Sequence, residues 1–157
     1  MSGVTKHIFE HELDDILSMW NTEIKSVTPL LPRKYTKADI IALLKYYYPH
    51  EWQSVESKYK YYRTKDKYLK RRFGKSRYNM SEPELLIQRV SAFKKIFSES
   101  YKYAHWNAYS ERNRVDSSVK LWEARKYKID RINSKIEIAL SKTQQVTPSF
   151  INQLIGL

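Results

Sequence analysis

Apolar residues in the first thirty positions fall at Phe9, Leu13, Ile16, Trp20, Ile24 and Val27. Steps of three and four trace one face of a helix. Glu10, Glu12, Asp14 and Asp15 read as crowding its first turns, where negative charge meets the positive end of the helix dipole. This helix is expected over 8–27. The segment TPLLPRKY (28–35) then reads as an extended connector, because each proline disfavours helix at the residue before it. Thr36 is placed as the N-cap of a second helix, 36–48, with Asp39 in a capping-box position and Ile40, Ile41, Leu44 and Tyr48 as the apolar stripe. Pro49 ends or kinks it. A third helix, 50–73, is expected to turn Trp52, Val55, Tyr59, Tyr62, Leu69 and Phe73 inward, with Asp66 interrupting that face. Gly74 supplies its stop, and 74–80 reads as a polar loop.

Ser81-Glu82-Pro83-Glu84 carries the marks of a helix start. Leu86, Val90, Phe93, Phe97, Tyr101, Ala104 and Ala108 follow at helical spacing. Val119, Trp122, Ile129, Ile132, Ile136 and Ala139 continue in a heptad-like pattern. Neither Gly nor Pro occurs from Glu84 to Val146. Unbroken, that stretch would run about 90 Å at about 1.5 Å per residue. Ordinary helix lengths argue for a break, placed at 111–118, where polar residues fill the apolar phase and Asp116 can cap a new helix. Thr147-Pro148 opens a short last helix, 149–155, closed by Gly156. The pattern predicts a single all-α domain over 1–157. It would be an irregular bundle of five or six helices, with room for a long C-terminal helical hairpin. The expected core draws on Leu13, Ile16, Trp20, Ile40, Leu44, Trp52, Val55, Leu86, Val90, Phe93, Phe97, Trp122, Ile129, Ile132 and Ile136.

Composition sharpens this picture. A chain of 157 residues is long enough to bury one real core. Its three glycines leave little material for tight hairpins or phosphate loops. The absence of cysteine excludes disulfides, Cys-based zinc sites and thiol catalysis. The N-terminal residues show no apolar segment behind a basic start. The longest strongly apolar run, 40–44, is far short of a membrane span. A cytoplasmic protein without membrane contact is expected.

Charge is distributed unevenly. The net formal charge is +12, with −1 in 1–35, +8 in 36–78 and +5 in 79–157. Ten Lys or Arg side chains and a single acid, Asp66, lie between Lys58 and Arg77, with aromatic rings between them. A local stripe of this kind is a footprint for a polyanion: cations neutralise phosphates, and exposed rings stack on unpaired bases. The candidate contacts are Lys58, Lys60, Tyr61, Arg63, Lys65, Lys67, Tyr68, Lys70, Arg71, Arg72, Lys75, Arg77 and Tyr78. The competing reading is a solvated helix face, and Tyr59 and Tyr62 fit the core spacing better than a stacking surface. A second basic set, from Arg112 to Lys135, alternates with acids, as a salt-bridged exposed face does.

Other chemistry is weakly signalled. The three expected N-terminal helices suit a helix-turn-helix variant, but a bare Pro49 replaces the usual turn, and the basic run holds no Asn or Gln to read adenine edges. His7 and His11 could share a helix face toward a metal, yet acids at the start of a helix explain the surroundings. His105 reads as a half-buried, hydrogen-bonded residue. No nucleophile elbow or Walker loop occurs. The sequence therefore predicts a non-enzymatic nucleic-acid-binding protein, with RNA or single-stranded DNA favoured and no cofactor or metal called for. The alternative is an interaction module that docks on an acidic protein, self-associates through the C-terminal helices, or inhibits a nucleic-acid-processing machine. In style the chain resembles small helical nucleic-acid-binding proteins of phages and mobile elements, without a motif that carries the resemblance.

Overall fold

A computed structural model describes residues 2–142, and among them the fold is all-α, with no strand. Seven α-helices follow in order: α1 Ser2–Val27, α2 Lys37–Tyr47, α3 Pro49–Phe73, α4 Pro83–Leu86, α5 Ser91–Ile96, α6 Glu99–Ala108 and α7 Glu111–Lys142. Short 3-10 turns, Thr28–Leu30 and Ile87–Arg89, follow α1 and α4. The chain divides into two compact units, Met1–Ser118 and Val119–Leu157.

The first unit is organised around α1. Phe9, Ile16, Trp20, Ile24 and Val27 are buried along its length, and α1 packs on α2 and α5. Trp20, fully buried, lies with its ring 5.5 Å from that of Trp52 on α3. Ile40 and Leu44 of α2, Val55 of α3, and Leu86, Val90, Phe93 and Ile96 join the core. The apolar phase placed these residues correctly except Ile96, which is buried where Phe97 was expected; Phe97 and Leu13 are only partly buried.

Local chemistry sets the ends. The Thr36 N–H donates to Asp39 Oδ2 at 2.7 Å, the expected capping arrangement of α2. Tyr48 is the hinge between α2 and α3, with Pro49 opening α3 where its missing N–H costs nothing. Gly74 ends α3 at φ +79°, and its N–H donates to the Lys70 carbonyl at 2.9 Å.

Several expectations need correction. α1 begins at Ser2, so Glu10 to Asp15 lie in its interior turns, beyond reach of the dipole's positive end. The connector 28–35 opens as a 3-10 turn with Leu30 and Leu31 buried. Phe73, expected inward, is 66% exposed because α3 outruns the elements that cover it. The loop after Gly74 is not simply polar, since Tyr78 folds back into an aromatic cluster with Phe9 and Tyr62. After residue 81 the breaks come at Val90, at Phe97-Ser98 and at Tyr109-Ser110 rather than at 111–118. Ser98 caps α6 through its hydroxyl, accepting the Tyr101 N–H at 3.4 Å. Asp116 sits inside α7.

In the second unit the described residues belong to α7 alone. Trp122 keeps 47% of its surface exposed there, against the expectation of a core position. One helix cannot bury its own apolar stripe. The side chains of Ile132 and Ile136, and the expected helix 149–155, lie outside the described residues.

Candidate functional site

The most chemically varied surface of the first unit is the groove between α1 and α3. It encloses about 490 Å³ and is lined by Ile8, Glu12, Ser54, Ser57, Lys58, Tyr61, Tyr62 and Lys65. The helices meet here through long side chains. The Tyr62 hydroxyl donates to Glu12 Oε2 at 2.5 Å, and Lys58 Nζ stands 3.5 Å from the same oxygen. Burial first, and then the hydrogen bond to Glu12, push the Tyr62 phenol well above its ordinary range. It therefore stays a neutral donor, and the carboxylate is held between a donor and a cation.

Lys65 lies 4.9 Å above the Tyr61 ring. A hydrogen bond to the Tyr61 hydroxyl raises the pKa of the Lys65 ammonium, which therefore stays charged. Tyr61 is 53% exposed and Ile8 54% exposed at the rim. The groove thus presents two cations, one carboxylate, two serines and a half-exposed aromatic ring.

The remaining basic residues do not join it. At about 100° per residue, Lys58, Lys65 and Arg72 share one flank of α3 with Tyr61 and Tyr68, while Lys60, Arg63, Lys67, Lys70 and Arg71 turn to the other flank. All of these except half-buried Lys58 are exposed. On the Lys58 flank, Arg72 Nη1 donates to the Tyr68 hydroxyl at 3.4 Å and the guanidinium lies 5.7 Å from the Phe73 ring. On the other flank, Arg63, Lys67 and Lys70 border a separate depression of about 250 Å³ with Asp66. Lys75 is exposed in the loop, and Arg77 lies 5.9 Å from the Tyr78 ring.

Asp66 interrupts the inward face because it holds this loop. Its carboxylate accepts the backbone N–H groups of Arg77, Tyr78 and Asn79 at 2.8, 2.9 and 2.7 Å. The loop in turn seats Tyr78 against Phe9 and Tyr62, with ring centroids 5.1 and 4.8 Å away. Tyr78 is 6% exposed, so it offers no stacking surface. The sequence missed Glu12 as a site residue. The signal was present: Glu12 lies three residues after Phe9 and four before Ile16, on the edge of the apolar face.

A second cluster was also missed. Arg33 packs 5.2 Å from the Trp106 ring and 5.3 Å from the Tyr109 ring. His105 meets the Pro32 carbonyl at 2.9 Å and the Tyr35 ring at 5.1 Å, as its half-buried reading required. Glu111 binds Arg114 and receives the Tyr109 hydroxyl. Those contacts, the guanidinium first, hold the Glu111 carboxyl down at about 2. This constellation ties the start of α7 to α6 and reads as structural. His7 and His11 are exposed on α1, His11 being 3.7 Å from Asp15. Among the described residues no three His, Asp or Glu side chains gather as a metal site. No described helix is long and apolar enough to cross a membrane.

No family model matches the chain, and no solved structure matches it. Among curated proteins it is similar to one from Cytobacillus dafuensis named "Putative cyclic ADP-D-ribose synthase TIR2", at 26% identity over 156 residues. The match takes in 99% of this chain, which spans 41% of that protein's length. This similarity overturns two expectations: a non-enzymatic protein, and nucleic-acid binding with its runner-up, the interaction or regulatory module. Clustered charge in sequence was taken for a single face. The helix divides that charge between two flanks, and the relative's named activity is a synthesis.

Proposed function

We propose that this chain is a working part of a cyclic ADP-D-ribose synthase. The supporting observation is the similarity to the Cytobacillus dafuensis protein, which runs through 99% of the chain rather than through one local motif. The α1–α3 groove is compatible with such a role, because it joins a fixed carboxylate to two ammonium groups beside an exposed ring. The cytoplasm is the proposed compartment, in keeping with a reaction on nucleotides.

The test is a hybrid protein. This chain replaces the matching 156-residue region of the Cytobacillus dafuensis protein, and cyclic ADP-D-ribose is measured with nicotinamide adenine dinucleotide as donor. The hybrid is expected to make the cyclic product, whereas a hybrid carrying an unrelated helical bundle of equal length makes none. A folded hybrid without product, or equal product with the unrelated bundle, overturns the reading.

A further inference from the structure

We infer that the α1–α3 groove is a binding site for a nucleoside diphosphate, with ADP-ribose as the fullest ligand. The inference rests on the functional reading for the identity of the nucleotide, but its geometry stands on the groove itself.

A nucleoside diphosphate needs three things from a protein: cations for the diphosphate, an acceptor for the sugar hydroxyls and a flat surface for the base. Lys58 and Lys65 lie seven residues apart on one flank of α3, about two turns or roughly 10 Å along the helix. Flexible side chains rooted that far apart can close on the two ends of a diphosphate from either side. Glu12 lies across the groove on α1, its charge already matched by Lys58 at 3.5 Å and by the Tyr62 hydroxyl at 2.5 Å. A carboxylate has room for about four accepted hydrogen bonds, so Glu12 can still take a ribose hydroxyl. Tyr61 gives the flat surface. One face of its ring meets Lys65 at 4.9 Å, and the side chain is 53% exposed. Ile8, 54% exposed, closes the opposite rim.

The other flank of α3 lacks this combination. It also carries lysines and arginines around a depression, of about 250 Å³. There the acid is Asp66, and three backbone N–H groups already occupy its oxygens. The other flank therefore has the more cations, whereas the open carboxylate, the exposed ring and the larger volume belong to the groove. That contrast separates a built site from a generally basic surface.

Calorimetric titration of the full chain with ADP-ribose, ADP, inorganic pyrophosphate and adenosine tests the inference. ADP-ribose and ADP are expected to bind at least about tenfold more tightly than pyrophosphate or adenosine, because each fragment forfeits one set of contacts. Lys58→Met/Lys65→Met and Tyr61→Ala should each weaken ADP-ribose by about tenfold or more. Lys70→Met/Arg71→Met removes the same charge from the other flank and should leave affinity unchanged. Far-UV circular dichroism and the melting temperature confirm that each variant folds. Equal weakening by the two double variants overturns the site, as does pyrophosphate binding as tightly as ADP-ribose, or absence of binding at millimolar ligand. Such a failure leaves the hybrid experiment untouched, so the loss of this site and the loss of the functional reading are told apart.

Discussion

At the scale of single residues, Asp66 shows how a position can be conspicuous in sequence for the wrong reason. It is the lone acid among ten cations, and it organises the backbone rather than the charge. Replacing it with Ala leaves three N–H groups of the 77–79 segment without their acceptor and releases the loop that seats Tyr78. Asp66→Ala should cost about 2–3 kcal/mol, read by urea denaturation; a change below about 0.5 kcal/mol would mean that water replaces the carboxylate freely. Glu111 gives a prediction in pH. Its folded pKa, about 2, lies below the ordinary value of 4.5. A depressed carboxyl favours the folded state above its ordinary value, and that contribution fades as pH falls through the folded one. Carboxyl-detected NMR should place its titration near pH 2, and Arg114→Ala should bring it back toward 4.5; titration near 4.5 in the parent chain would remove the Arg114 contact as cause.

At the scale of elements, the hydrophobic period was sufficient to find α1, α2 and α3, because each buries an apolar stripe, but it missed the first turns of α1 and ran on to an exposed Phe73 in α3. It was insufficient after residue 81, where apolar residues keep helical spacing through three interruptions of the backbone. Val90 and Ser98 adopt extended conformations there, with ψ of 132° and 148°, and neither is Gly or Pro. Packing and a serine cap set those breaks, so glycine and proline signals could not reveal them. The candidate site shows the same division. Lys58, Tyr61 and Lys65 were legible from the basic run. Glu12 showed only its place at the edge of the apolar face; its pairing with Tyr62 joins residues fifty apart in sequence. α1 and α3 depend on one another through Trp20 and Trp52. Trp20→Ala opens a void at the α1–α3 crossing and should cost about 3–5 kcal/mol in equilibrium unfolding. A loss under about 1 kcal/mol would show that the two rings are not a shared keystone.

At the scale of the whole molecule, net charge proved a poor guide to function. A value of +12 describes solubility and long-range attraction to anions, and nucleic acid is one anion among many. A nucleotide is another, and it demands far fewer cations but a more varied site. The similarity to a named synthase and the mixed chemistry of the α1–α3 groove point the same way, although each arises from a different property of the chain. The most direct measurement is of the product itself. The hybrid of this chain with the rest of the Cytobacillus dafuensis protein, supplied with nicotinamide adenine dinucleotide, is assayed by mass spectrometry for cyclic ADP-D-ribose, which differs from linear ADP-ribose by one water. The cyclic product is expected above the level of a heat-inactivated control. A folded hybrid that yields none, beside a Cytobacillus dafuensis protein that does, would contradict the proposed function.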